Sequence, residues 1–197
     1  MKLKLSAKLI LPAILLCLAS WQLGQGSYIH LKAGVAQYLI ADAWQQQENS
    51  TTQIKPWPWA DTWPVARLVV PQHNIDQYVL AGVSGESLAF GPGYVFASAA
   101  PTALGNTIIA AHRDTHFSFL KDLKKGEVIT LYDRQGTQRH YVVHDMTIVD
   151  KDDVAWLNID KAQYQLTLAT CYPFDAIQAG GPLRYVVRAI SLPDISA

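Results

Sequence analysis

Apolar positions fall into three regimes along the 197-residue chain. Across 9–23 they run nearly unbroken behind Lys2, Lys4 and Lys8. Counted from Leu5, with the Lys8 ammonium reaching back to the headgroups, the run attains the roughly 20 apolar residues that a spanning helix needs. Across 28–48 the pattern changes: Leu31, Val35, Tyr38, Leu39 and Trp44 recur at spacings near a helical turn, which predicts a helix that is a stalk or packs on a domain. From Ala66 onward the chain becomes a succession of short β-branched runs, at 66–70, 77–80, 106–111, 127–132, 140–149, 163–170 and 183–190. Glycines such as Gly82, Gly91, Gly105, Gly126, Gly136, Gly180 and Gly181 punctuate them. This alternation predicts an all-β, antiparallel domain, closed into a barrel because so many strands leave few other ways to protect edges. Short helices are expected at 117–125 and 152–157. The polar stretch 48–53 lacks apolar periodicity, so the folded domain is expected to start near Ile54. The organisation is then a membrane anchor at 1–27, a helical stalk or linker at 28–53 and a β-barrel domain at 54–197.

One segment fits neither period. In K-P-W-P-W-A-D-T-W-P-V, from Lys55, the prolines 56, 58 and 64 forbid a regular helix while Trp57, Trp59 and Trp63 carry large apolar surfaces. It should lie extended. Tryptophan is mainly a packing residue, so a strap over the barrel core is favoured over an aromatic wall for a peptide.

Composition narrows the function classes. The chain is half apolar, with 16 basic and 16 acidic residues and zero formal charge. That removes a global electrostatic case for nucleic acid. The basic flank ahead of the apolar run predicts that the remainder of the chain is exported, as a single-pass protein held in lipid by its N-terminal helix. A cleaved signal peptide fits less well: no Ala-x-Ala directly follows the run, and Trp21 suits an interfacial anchor. The two cysteines, Cys17 and Cys171, lie in different regions and cannot pair. A solitary thiol in an oxidising compartment is a liability unless it is buried or used.

Three apolar runs end or begin on reactive side chains. I-I-A-A-H-R-D-T-H-F stops at His112, L-T-L-A-T-C stops at Cys171, and G-G-P-L-R-Y-V-V-R-A opens a strand with Arg184. A thiolate nucleophile needs a proton acceptor or a cation beside it, which His112 supplies. Acyl transfer also needs donors aimed at the oxygen that becomes negative, and the permanently charged fork of Arg184 suits that task. Cys171 and Arg184 approach each other if 172–183, with its Gly180-Gly181-Pro182, loops between adjacent antiparallel strands.

These residues carry a family likeness. T-L-A-T-C, an arginine thirteen positions on, the upstream A-H-R-D-T-H-F and the N-terminal anchor resemble the sortases, cysteine transpeptidases; the likeness runs from about Trp57 to Ala189. The W-P-W strap, S-L-A-F-G-P-G and T-C-Y-P-F-D-A-I-Q-A-G-G-P-L-R more narrowly resemble the subgroup found in marine Gram-negative bacteria. The resemblance implies an eight-stranded closed β-barrel. Cys171 would attack the carbonyl after the threonine of an L-P-x-T-G-like C-terminal sorting signal on a protein substrate. His112 would protonate the departing amine, Arg184 would steady the substrate or the oxyanion, and an amine acceptor of the cell envelope would resolve the thioester. No cofactor or metal is called for. One residue departs from the pattern, Ala111 standing where the family usually has glycine before the histidine. That extra methyl tightens the pocket floor, or changes the backbone if a positive φ is required. With free cysteine near pKa 8.5 and histidine near about 6.5, only a minor fraction of the pair is thiolate with imidazolium unless the site shifts them.

Competing readings are weaker. His112 and His116, and His140 and His144, are four apart, yet no acidic or thiol cluster completes a metal site around them. His116 is expected at the rim of the site, and Asp114 either orients His112 or solvates a turn. Asp150, Asp152 and Asp153 lack the calcium-loop pattern and read as a solvated turn. Arg188 shares a strand face with Arg184 and is its rival. Neither an L,D-transpeptidase nor a papain-like protease matches the order of cysteine, histidine and arginine. A non-catalytic, membrane-anchored β-barrel that binds peptide through the tryptophan strap is the alternative; it predicts that Cys171 is dispensable.

Overall fold

Alternation along the strands is what closes this fold. A computed structural model describes residues 7–48, 52–157, 162–178 and 180–191. Its elements are helix α1 (Ala7–Gln47), strands β1 (Pro64–Val70) and β2 (Ile75–Ala81), helix α2 (Gly85–Phe90), and strands β3 (Gly93–Tyr94), β4 (Gly105–Ala110), β5 (Val128–Asp133), β6 (Gln138–Asp150), β7 (Tyr164–Tyr172) and β8 (Leu183–Ser191). Strand β1 shows the governing pattern: Pro64, Ala66, Leu68 and Val70 are buried while Val65, Arg67 and Val69 are half-buried between them. Such a strand must roll its buried face around a core.

The eight strands form a closed barrel in the order β1-β2-β3-β4-β7-β8-β6-β5, with β5 pairing back to β1. Closure leaves no edge. Leu68, Ile109, Phe117, Leu120, Ile129, Leu131, Tyr141, Leu166, Leu168 and Val187 fill the interior, all essentially inaccessible.

The barrel is not purely antiparallel, as the turn pattern had suggested. Strands β2 and β3 are parallel, and so are β4 and β7. Parallel strands need a long crossover, and here the segment from Ala111 through β5 and β6 supplies it. In keeping with that geometry, β7 is buried continuously from Leu166 to Thr170 rather than at alternate positions. Strand β3, too short to have a period, escaped the sequence reading altogether, as did helix α2, capped by the Ser84 hydroxyl accepting from Ser87 N at 3.1 Å. Gly93 in β3 is there of necessity, because a Cβ at this position would stand 2.3 Å from the Gly82 carbonyl oxygen. The short helices expected at 117–125 and 152–157 are single 3-10 turns, Ser118–Lys121 and Ala155–Leu157.

The segment ahead of the barrel is organised by a single element. One helix, α1, is continuous through residue 27, where the anchor was expected to give way to the stalk. Lys2 and Lys4 of the basic flank lie outside the described residues, and among the described residues no helix is long and apolar enough to cross a membrane. The chain divides into two compact units, Met1–Tyr38 and Leu39–Ala197. The second takes in the last turns of α1 as well as the barrel. Ile40, Ala43, Trp44 and Gln47, spaced as one helix face, are buried there. The Trp44 ring lies 5.8 Å from that of Tyr78, and the Gln47 amide nitrogen donates to the Pro64 carbonyl while its oxygen accepts from Ile54 N at 3.2 Å.

The tryptophan segment behaves as a strap. Trp57 meets Phe90 edge-on at 5.0 Å, Trp63 tilts against Phe96 at 6.3 Å, and the Thr62 hydroxyl donates to Ala81 O at 2.8 Å. Trp59 alone of the three is left largely exposed.

Candidate active site

Of the three residues that the sequence singled out, Cys171 lies on β7 and Arg184 on its neighbour β8, while His112 follows the end of β4, the strand on the other side of β7. In the parallel pair Ala110 stands opposite Ala169. The pairing persists past the end of β4: Ala111 N donates to Ala169 O at 3.2 Å, and the Thr170 hydroxyl donates to Ala111 O at 2.7 Å. Extended past the end of β4, the same offset would bring His112 level with Cys171. On the other side of β7, Cys171 is the direct antiparallel partner of Arg184. The thiol therefore stands between an imidazole strand and a guanidinium strand, its own strand being the middle one.

Burial separates these groups by environment. Cys171 is a free, half-buried thiol, His112 is exposed and Arg184 is half-buried. A thiol that is partly reachable at a strand end suits nucleophilic chemistry better than a thiol sealed in a core. Cys17, the other cysteine, is exposed on α1. The Arg184 side chain does not hang free: Nη1 donates to Gly181 O at 2.8 Å and to Leu183 O at 2.9 Å. Its rival, Arg188, is engaged elsewhere, donating through Nη2 to Asp145 Oδ2 at 2.6 Å on the outer surface.

The turn that follows β4 fixes His112. Phe117 N donates back to His112 O at 3.0 Å, and Phe117 itself is fully buried against Phe119. His116, in the same turn, is half-buried, and its carbonyl accepts from Gln77 Nε2 at 3.2 Å. Burial holds the His116 imidazole below the ordinary histidine range, and the positive charge of His112 lowers it further. Ala111 is buried and lies outside the left-handed region, so the methyl that replaces the family's glycine imposes no backbone strain.

The remaining candidates have structural partners. His140 shares a hydrogen bond with the Thr130 hydroxyl at 2.9 Å, and His144 is exposed on β6. Among the described residues no three histidine, cysteine or acidic side chains converge as a metal would need. Asp150 and Asp153 turn their carboxylates on nearby backbone N–H groups, accepting from Asp152 N at 2.9 Å and Ala155 N at 3.0 Å, as a tight acidic turn does.

The sequence reading missed Arg113. It is buried, and its guanidinium donates to three carbonyl oxygens of the connection between β7 and β8: Gly180 O at 3.2 Å, Ala176 O at 2.9 Å and Gln178 O. Its position directly after His112 was the only available signal, because main-chain acceptors have no sequence signature.

Comparison with known proteins gives one family. The family model described as the sortase domain matches residues 68–191. Among curated proteins, Sortase D of Bacillus subtilis (strain 168) is 31% identical over 120 residues, spanning 61% of this chain and 60% of that relative. Sortase A from Corynebacterium diphtheriae superimposes with a TM-score of 0.61 at 25% identity, covering 71% of this chain and 66% of that one. A Clostridium perfringens Sortase D5 transpeptidase superimposes at 0.66 with 18% identity, covering 81% and 99%, a likeness of fold.

Proposed function

The chain belongs to the sortase family, and from that premise we propose that it is a cysteine transpeptidase held in the inner membrane by its N-terminal helix, with the catalytic domain on the exported side. The substrate is a protein bearing an L-P-x-T-G-like C-terminal sorting signal. The Cys171 thiolate attacks the carbonyl carbon of the signal's threonine, forming the C–S bond and a tetrahedral oxyanion. The C–N bond to the glycine breaks as the imidazolium of His112 gives its proton to the departing amine. An amine acceptor of the cell envelope then attacks the thioester, loses a proton to His112, and displaces the thiolate. Arg184 stabilises the oxyanion or holds the peptide against the strand. Its permanent charge suits either task without proton bookkeeping.

The observation that carries this reading is the register across β4, β7 and β8, which supports a common level for residues 112, 171 and 184 at one end of the barrel. The likeness to the marine Gram-negative subgroup belongs to the same proposal and carries the expectation of an acceptor other than the peptidoglycan stem.

The test is intact-mass analysis of the full-length chain, in detergent, with a library of L-P-x-T-G-type peptides. A thioacyl adduct is expected on the wild type and absent from Cys171→Ala; His112→Ala and Arg184→Ala should lower its formation by about 100-fold or more, the range in which acid–base groups and oxyanion donors act. A folded wild type with an alkylatable thiol but no adduct and no cleavage would instead favour the peptide-binding module.

A further inference from the structure

A buried cation held entirely by carbonyl oxygens needs a reason to be there. The Arg113 side chain leaves the end of β4 and enters the loop between β7 and β8, where only 6% of its surface remains exposed. Among the described residues its hydrogen-bond acceptors are the main-chain oxygens of Ala176, Gln178 and Gly180. Removing a guanidinium from water is costly unless donors find acceptors, and here the rigid fork meets three. The loop gives something up in return. Carbonyl dipoles at alternate residues all converge on one point, an arrangement that is repulsive without a cation at the focus. The same convergence leaves the intervening Ile177 side chain wholly in solvent. Gly180 reaches its place with a φ of +80°, a conformation open to glycine and strained for other residues.

This loop joins the strand of Cys171 to that of Arg184, and Arg184 is braced by it too, through Gly181 O, with a second bond to Leu183 O at the start of β8. One guanidinium, adjacent in sequence to His112, thus ties down the segment on which the placement of the other two groups depends. We propose that Arg113 is a positioning residue: by capturing the carbonyls of Ala176, Gln178 and Gly180 it fixes the β7–β8 loop as an ordered wall beside Cys171 and sets where Arg184 stands. The catalytic consequence rests on the transpeptidase reading; the hold on the loop does not. Lysine keeps the charge but lacks the planar fork, so it cannot serve three acceptors at these spacings.

The experiment compares full-length wild type, Arg113→Lys, Arg113→Ala and Gly180→Ala by amide hydrogen exchange and by steady-state cleavage of an L-P-x-T-G peptide. Both Arg113 variants are expected to speed exchange across 173–182 by about tenfold or more, the scale of losing hydrogen bonds to a charged donor, while β4 and β7 exchange as before. KM for the peptide should rise about tenfold with a smaller change in kcat, as expected when positioning rather than chemistry is lost. Added guanidinium ion should restore Arg113→Ala in part and leave Arg113→Lys unchanged. Loop exchange equal to wild type, or exchange rising equally in β4 and β7, overturns the proposal. If the Arg113 variants do not fold, Gly180→Ala displaces the same carbonyl with the arginine intact, and an unaltered loop in that variant overturns it as well. A wild type that cleaves no peptide defeats the transpeptidase reading, and the exchange comparison then decides the role of Arg113 alone.

Discussion

At the scale of single residues, His112 and His116 form an asymmetric pair. His116 is depressed first by burial and only second by the charge of His112. Its folded value lies below the unfolded value of about 6.5, so the unfolded chain binds the proton more tightly. Stability from this group is complete above that value and falls as pH drops below it. The ordering of causes is testable by NMR titration of the ring protons. In His112→Asn, His116 should rise but stay below the ordinary histidine value; a full return to it would mean that charge, not burial, dominates. The Ala111 methyl is a second residue-scale case. The family's glycine suggested a backbone constraint, and the ordinary φ at this position shows that none operates here.

At the scale of elements, the turn after β4 does the work of presenting His112. Its anchor is Phe117, fully buried and edge-on to Phe119 at 5.9 Å. Phe117→Ala empties a site whose walls belong to the barrel and cannot collapse, so a loss of about 3–5 kcal/mol is expected in urea unfolding. Because the same ring holds the turn, the variant should also lose peptide cleavage under conditions where it is still folded. A fully active Phe117→Ala would separate the turn from the placement of His112. Helix α1 and strand β3 teach the complementary lesson. The apolar period announced a helix at 28–48, but its continuation back to Ala7 crosses a stretch read as a boundary. Strand β3 is two residues long and is held by pairing with Leu80, Ala81, Ile109 and Ala110. Nothing local defines it.

At the scale of the whole molecule, the compact unit Leu39–Ala197 includes the helix face formed by Ile40, Ala43, Trp44 and Gln47. A chain beginning at Leu39 should therefore keep the melting temperature of the full-length protein. One beginning at Ile54 loses the buried Trp44, a change worth about 3–5 kcal/mol and on the order of 10 °C in Tm. Full-length protein and the chain from Leu39 together address the proposed anchor. Full-length protein should sediment with membranes through alkaline extraction, and the chain from Leu39 should be released. Release of both would remove the anchor from the proposal, and equal melting of both truncations would return the domain edge to Ile54.

The sequence alone determined whatever depends on local order. Seven strand runs were legible because half-buried strands must alternate or cluster their apolar residues, and the reactive positions His112, Cys171 and Arg184 stood out because each interrupts or opens such a run. The tertiary structure decided what depends on residues distant in the chain: the parallel register of β4 with β7, the closure of β5 onto β1, the α1 turns packed within the barrel unit and the carbonyl cage around Arg113. Pairing partners and main-chain acceptors leave no imprint on side-chain periodicity. They exist only once loop closure has brought distant segments together, as in the pairing of Cys171 with Arg184.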